Sequence, residues 1–175
     1  KNDLGLHGGL IDEGSMALIR NGNVTGERKR IDRGFSVTGM ALGESSLYET
    51  LINEATVLFR GANYTHEVDT IKELDNFVSI NSAIEVDLFG QVNSEFAGGK
   101  QLSGTGGAVD FMRAAKTSSG GRSIIAMNAT AKGGKKSKIV PKVEMVTALR
   151  TDVDIVVTEF GVAPVSYKHL RAHET

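Results

Sequence analysis

The chain alternates short apolar runs, typical of buried strands, with segments of helical period, and this alternation limits its fold more than any other feature. Several of the strand-like runs are rich in β-branched residues. Such alternation predicts an α/β domain with an open, mainly parallel sheet and flanking helices. Helices are predicted within 13–23, 44–55, 68–76 and 109–118, and strands within 35–42, 56–61, 77–93 (a pair turning at Gly90–Gln91), 122–130, 137–141 and 154–161.

The composition excludes several classes of protein. The 175 residues include no cysteine, which rules out a disulfide scaffold, thiol catalysis and cysteine metal sites. A net charge of -1 provides no general attraction for nucleic acid, and the basic cluster KGGKKSK at 132–138 is short. No apolar run approaches the roughly 18–20 residues of a membrane helix. We therefore expect a globular, cytoplasmic protein that binds neither nucleic acid nor a membrane.

The two ends of the chain suggest a piece of a longer protein. The sequence begins with Lys1 and enters a patterned segment almost at once, so we expect a portion upstream. After the strand-like DVDIVVTEFGVA, the text PVSYKHLRAHET has no apolar period and is interpreted as a non-native tail. The predicted domain is thus 1–163, with a tail at 164–175. His169 and His173 in that tail are spaced i,i+4 but are not interpreted as metal ligands.

Three glycines precede the helix predicted after residue 108. Gly104, Gly106 and Gly107 lack side chains, so their amides can approach a ligand closely, next to the free N–H groups and positive dipole end of a helix. Such a loop suits a phosphate or a developing oxyanion. The alternative is an ordinary tight turn. The loop lacks the Gly-Lys-Ser/Thr ending of a P-loop, which argues against nucleoside triphosphate binding.

Carboxylates at two strand positions are further candidates for chemistry. Glu85 and Asp87 are spaced i,i+2, so on a strand their side chains share one face. Glu159 in TEFG ends an apolar strand beside a glycine turn, where ligand sites of open sheets gather. The alternative for each is a solvated or ion-paired strand end.

Five segments together resemble the C-terminal half of the acetyl-CoA hydrolase/transferase family. They are DLGLHGGLIDEG, SINSAIEVDLFGQVNSE, GGKQLSGTGGAVDFMRAA, SIIAMNATAKGGKKSKIVP and DVDIVVTEFGVA, in that order along the chain. The resemblance implies a fold of two similar open α/β halves with acyl-CoA bound between them, of which this chain is the second. It implies coenzyme A or acyl-CoA as substrate, with no metal.

The resemblance also implies roles for individual residues. A backbone amide at Gly106–Gly107 would help form the oxyanion site. Lys132 would lie near the phosphates of CoA. Glu159 would support the active site. His66 matches a position where many relatives carry an asparagine that contacts the acyl or carboxylate group.

One position departs from the family pattern. The transferases attack the thioester with a glutamate in a stretch resembling His-Ser/Thr-Glu-Met, and the corresponding text here is HGGL, which places Gly9 at the nucleophile position. Glycine cannot form the covalent intermediate. Gly8 and Gly9 would instead open space for another acyl group, a water or a carboxylate from elsewhere, with Glu13 a remote substitute. A hydrolase would need only an activated water, with Glu159 or Glu85 as the base.

The sequence therefore predicts an acyl-CoA-processing domain that transfers CoA between an acyl-CoA and a carboxylate. The alternatives are an acyl-CoA thioester hydrolase and a non-catalytic CoA-binding half-domain. The expected partners are acyl-CoA, a small carboxylate, the N-terminal half of the same protein and, in a homo-oligomer, further copies of the chain. The isolated fragment is expected to be inactive.

Overall fold

A computed structural model describes residues 1–165 and shows two lobes, each with its own hydrophobic core. The first lobe runs to His66 and packs around Ile11, Met16, Leu47 and Val57. The second lobe follows it, and its buried residues are Ala83, Val86, Val92, Met112, Ile125, Met127, Ala148, Val153 and Val156.

The first lobe is a set of two-stranded parallel pairs covered by helices. Asp12 caps the first helix by accepting from Ser15 N at 2.8 Å, and Asn21 ends it, followed by Gly22 in the left-handed region. Its elements are β1 (Leu10–Ile11), α1 (Glu13–Arg20), β2 (Ser36–Thr38), β3 (Met40–Ala41), α2 (Ser45–Ile52), β4 (Val57–Phe59) and α3 (Ala62–Thr65).

The predicted strand at 35–42 is divided at Gly39. Before this glycine β2 pairs with β4, and after it β3 pairs with β1, both in parallel. A β-carbon at position 39 would lie 3.1 Å from the carbonyl oxygen of Gly9, so the close approach of the two backbones favours glycine there.

The second lobe is built on a four-stranded sheet with helix α5 packed against it. Its elements are α4 (Val68–Ile71), β5 (Val78–Asn81), β6 (Glu85–Asp87), β7 (Val92–Asn93), β8 (Phe96–Ala97), β9 (Lys100–Gln101), α5 (Ala108–Thr117), β10 (Arg122–Ala126), β11 (Thr130–Ala131), β12 (Lys136–Ser137), β13 (Ile139–Val140), β14 (Ile155–Thr158) and β15 (Gly161–Pro164). The four-stranded sheet has the order β15-β14-β10-β5.

Strands that are distant in the chain pair in parallel throughout residues 1–165. These pairs are β1–β3, β2–β4, β5–β10, β10–β14 and β6–β13. The antiparallel pairs β6–β7, β8–β9, β11–β12 and β14–β15 are all hairpins of consecutive strands. The expected mainly parallel α/β fold is confirmed, with the strands divided among several small sheets.

The predicted strand pair at 77–93 is three strands in two sheets. The first, β5, lies at the edge of the four-stranded sheet, while β6 and β7 form a hairpin in a separate sheet with β13. Gly90 lies in the hairpin turn with a φ of +83°. The break falls at Ser82–Ile84, where the apolar run gives no sequence signal for a change of sheet. The helix predicted at 68–76 ends at Ile71.

The predicted tail begins at the last two residues that the structure describes. Pro164 pairs with Ile155 in β15, and Val165 N donates to Asp154 O at 2.7 Å and packs against the second core. Residues 166–175, including His169 and His173, lie outside the described residues. The boundary at residue 163 stays a prediction.

Candidate active site

A cleft of about 940 Å³ lies between the two lobes. The first lobe contributes the turn that contains Gly9, the residues around the β2–β3 break and helix α3. The second contributes edge strand β5 and the beginning of helix α5. The lining residues are 6–10, Ser15, 39–40, 60–62, 65–66, 77–82, 107–108 and Phe111.

The imidazole of His66 lies between two of the predicted site glycines. A β-carbon at position 9 would lie 3.1 Å from both Cε1 and Nε2 of His66, and one at position 107 would overlap the ring at Cδ2 and Nε2. Phe111 packs against the same imidazole at an interplanar angle of 49°, with the ring centroids 4.6 Å apart, and its Cε2 would lie 3.6 Å from a β-carbon at position 9. The structure thus brings together Gly9, His66 and Gly107, which are far apart in the sequence.

Thr65 fixes the orientation of the His66 ring. His66 ends α3, and its Nδ1 is 2.8 Å from the hydroxyl oxygen of the fully buried Thr65. Nε2 has no hydrogen-bond partner among the described residues and is the ring atom that Gly9 and Gly107 both approach. An imidazole held in this way can exchange a proton with a small molecule in the cleft.

His7 is a second imidazole at the cleft, and it hydrogen-bonds to the backbone of Thr65. It is 8% exposed, and its Nε2 donates to the carbonyl oxygen of Thr65 at 3.2 Å. Burial, with the positive charge of Lys29 nearby, lowers the pKa of His7 to about 4, so its ring is neutral at pH 7. His7 therefore acts as a fixed hydrogen-bond donor.

The glycine loop leads directly into helix α5. Gly107 is the N-cap and Gly106 adopts a φ of +56° with no atom within 4 Å of its missing side chain. The first-turn amides of α5 have no partner within the helix, and its positive dipole end adds to their attraction for negative charge. This geometry suits an oxyanion.

A buried carboxylate anchors the chain just ahead of this loop. Glu95 is 8% exposed and accepts from Gln101 Nε2 at 2.8 Å and from Thr147 Oγ1 at 2.9 Å. Gln101 also donates to Ser103 O at 2.7 Å. These bonds tie the β8–β9 hairpin and the start of the loop to the second lobe.

The paired carboxylates of β6 lie outside the cleft. Glu85 forms an ion pair with Lys136, 2.7 Å from Oε1 to Nζ. Burial opposes ionisation of Asp87, but hydrogen bonds from Gln91, Val143 and Phe89 outweigh it and hold the pKa of this carboxyl below its usual range. Asp87 thus organises the β6–β7 turn.

The remaining predicted site residues also lie away from the cleft lining. Glu159 is exposed and accepts from Ala129 N at 2.7 Å, which joins the end of β14 to the segment after β10. Lys132 is exposed in the β11–β12 turn with a φ of +53°. Glu13 accepts from Glu44 N at 2.7 Å and does not line the cleft.

The cleft residues that sequence reasoning missed include His7, Arg60, Thr65 and Phe111. Phe111 follows Gly107 by one helical turn, and this spacing could have placed it beside the loop. His7 and Thr65 offered no such signal, because their roles depend on the contact between two segments far apart in the sequence.

Residues 43–174 match the sequence model of the family "Acetyl-CoA hydrolase/transferase C-terminal domain". The chain belongs to the acetyl-CoA hydrolase/transferase family. A 4-hydroxybutyrate coenzyme A transferase of Clostridium kluyveri is 42% identical over 98% of this chain and 41% of that protein. A succinyl-CoA:cyclohexane-1-carboxylate CoA transferase of Geobacter metallireducens is 43% identical over 93% of this chain and 38% of that protein.

A solved structure shares the fold of this chain. RipA from Yersinia pestis is 42% identical and superimposes with a TM-score of 0.90, covering 95% of this chain and 38% of RipA. The chain spans about two fifths of the length of the relatives that it matches. Within residues 1–165 there is no helix long and apolar enough to cross a membrane, and no cluster of side chains suited to a metal ion.

Proposed function

We propose that this chain is the C-terminal part of an enzyme that transfers CoA from an acyl-CoA to a small carboxylate. The cleft supports this proposal, because it places an imidazole beside the glycine-capped N-terminus of a helix. The chain in which it does so belongs to the acetyl-CoA hydrolase/transferase family. His7, Arg60 and His66 line the cleft, and no acidic residue does so within the described part of the chain. Such a lining favours the negative charge that develops on a thioester carbonyl.

Each predicted site residue has a place in this proposal. The amides at Gly106 and Gly107 receive the carbonyl oxygen of the thioester, and Lys132 meets a phosphate of CoA at the exposed β11–β12 turn. Glu159 and Glu85 act as positioning residues. Glu159 holds the segment at Ala129, and Glu85 holds the basic hairpin through Lys136.

The attacking carboxylate is not supplied by position 9. Gly9 has no side chain, so the nucleophile comes from the acceptor acid or from a part of the enzyme outside this chain. The N-terminal half of the same protein therefore completes the site opposite the domain at 1–163. Further copies of the chain assemble with it in an oligomer. We also propose a cytoplasmic location, which is consistent with a chain free of cysteine.

The test uses the full-length protein with butyryl-CoA and increasing acetate, followed by mass spectrometry of the CoA esters. We expect acetyl-CoA to form in proportion to the butyryl-CoA consumed. The intact protein is searched for a CoA adduct, which would identify a nucleophile outside position 9. Tight binding of acyl-CoA with neither exchange nor thiol release would instead identify a non-catalytic CoA-binding module.

A further inference from the structure

We propose that the enzyme also hydrolyses acyl-CoA, with His66 as the general base that activates the attacking water. This activity rests on the proposed binding of acyl-CoA in the cleft. Hydrolysis is one of the alternatives that the sequence left open, and the new element is the base, because His66 takes the role that the sequence assigned to Glu85 or Glu159.

The space next to Gly9 supports a water rather than an enzyme-bound nucleophile. A glutamate at position 9 would send its side chain toward His66 Nε2, 3.1 Å from the β-carbon. With glycine there, Nε2 faces the cleft without a partner among the described residues, while Nδ1 is held at 2.8 Å by Thr65. A water hydrogen-bonded to Nε2 would lie beside the path that the glutamate would take.

The other titratable groups near the cleft do not suit the role of base. Nε2 of His7 is committed to the carbonyl oxygen of Thr65, and its ring is buried. Arg60 carries a guanidinium group, which offers hydrogen-bond donors and no acceptor. Glu85 and Glu159, the bases first expected from the sequence, bind Lys136 and Ala129 N and do not line the cleft.

The proposed step balances without another reactant. Nε2 of His66 takes a proton from water as the water oxygen bonds to the thioester carbonyl carbon, and the carbonyl oxygen becomes an oxyanion facing the amides at Gly106 and Gly107. The C–S bond then breaks, and the proton on His66 passes to the leaving thiolate. The products are the free acid and CoA thiol, and the imidazole returns to its neutral form.

Thr65 and His7 fix the orientation of the ring that takes part in this proton transfer. For Nε2 to accept a proton, Nδ1 must carry the ring hydrogen, and the Thr65 hydroxyl accepts from Nδ1 in both the neutral and the protonated ring of His66. The donation from His7 to the carbonyl oxygen of Thr65 fixes the backbone at the point where α3 ends. The ring of His66 is thereby held edge-on to both glycines.

The experiment compares the full-length protein with its His66→Ala variant, using acetyl-CoA without any acceptor acid and measuring free thiol. General-base catalysis contributes about 100- to 10,000-fold, so we expect His66→Ala to slow thiol release at least about 100-fold. The vacated space beside Gly9 and Gly107 matches an imidazole ring, so added imidazole should restore part of the rate in this variant alone. Tyr48→Ala, which removes an exposed ring outside the cleft, is the matched control and should keep the original rate.

Calorimetric titration with acetyl-CoA separates this inference from the proposed function. Binding by both proteins, with thiol release lost in His66→Ala and restored by imidazole, supports the role of His66. Binding and acetate-dependent exchange without acceptor-free thiol release would overturn the inference and leave CoA transfer in place. Thiol release at an unchanged rate in His66→Ala would overturn the assignment of the base. Absence of acetyl-CoA binding in the unsubstituted protein would overturn both proposals.

Discussion

A β-carbon at position 9 would lie 3.1 Å from Cε1 and Nε2 of His66, and the ring has little room to move because the tilted ring of Phe111 packs against it, with the ring centroids 4.6 Å apart. The imidazole therefore occupies its position only because residue 9 has no side chain. This arrangement places an imidazole beside position 9, where the resemblance implies a carboxylate in the transferases.

Gly9→Ala is expected to displace the ring by a few tenths of an ångström and to lower the free energy of unfolding by about 1 kcal/mol. Thermal unfolding measures this cost. In a His66→Ala background the cost should disappear, because the two positions interact directly. Gly8→Ala is the matched control, since its β-carbon would meet only Leu10 O at 4.0 Å. Equal costs at positions 8 and 9 would contradict the contact.

Gly107→Ala is expected to have a larger effect. The new methyl group would overlap the ring of His66, which must move or push back the start of α5, at a cost of about 1–3 kcal/mol in unfolding free energy. Chemical denaturation measures this cost, and the exchange assay should show a parallel loss of rate. Gly104→Ala, with no atom within 4 Å, should remain within about 0.5 kcal/mol of the unsubstituted protein. A Gly107→Ala protein as stable as this control would refute the overlap.

The buried ring of His7 makes stability depend on pH. Its pKa in the folded protein is about 4 against 6.5 when exposed, so the unfolded chain binds a proton first as the pH falls. Stability from this group is present above about pH 6.5 and is lost as the pH falls toward 4, up to roughly 3 kcal/mol for such a shift. Lys29, Asp32 and His66 are the charged or titratable neighbours that act on it.

Unfolding curves between pH 7 and pH 4 measure this dependence. His7→Gln removes the titrating ring while keeping an N–H donor for the carbonyl oxygen of Thr65. Its stability should therefore change less over this range. An unchanged slope in His7→Gln would assign the pH dependence to other groups.

The two carboxylates of β6 should respond very differently to neutralisation. Asp87→Asn leaves one acceptor oxygen where there were two, so its NH2 group must face either the amides of Phe89 and Gln91, each at 2.9 Å from Oδ1, or the donors to Oδ2, which are Gln91 Nε2 and Val143 N. The substitution should cost about 2–3 kcal/mol of unfolding free energy. Glu85→Gln removes one ion pair with the half-exposed Lys136 and should cost less than about 1 kcal/mol. Denaturant unfolding of both variants decides this, and similar costs would contradict the structural role of Asp87.

The α/β class was predictable from the sequence because strand and helix periods are local. Helix α1 lies where its periodicity and the Asn21–Gly22 stop place it, and α5 follows the glycine loop as expected. The division of strands among sheets was not predictable. Nothing in the run from Val78 to Asp87 marks the point where the chain leaves one sheet for another.

The candidate site was predictable only in part, for a similar reason. The glycine loop was identified from its own pattern and Gly9 and His66 from the family resemblance, and the structure brings Gly9, His66 and Gly107 together. Glu85 was identified from its spacing with Asp87, but spacing cannot reveal that Lys136, distant in the chain, would pair with it. His7 and Thr65 support the imidazole through contacts that form only when α3 meets the first turn of the chain.

The parallel pairing of distant strands has a consequence for how the molecule forms. A parallel pair requires closure of a long loop before it gains any contact, so folding should be slow compared with that of a protein built from local hairpins. In the four-stranded sheet, β5 pairs with β10 and β10 pairs with β14, so each strand completes its pairing only after the later one has been synthesised. On the ribosome the cleft wall formed by β5 therefore gains its full support only after Thr158 has emerged, and the shape of the cleft is among the last features to be established.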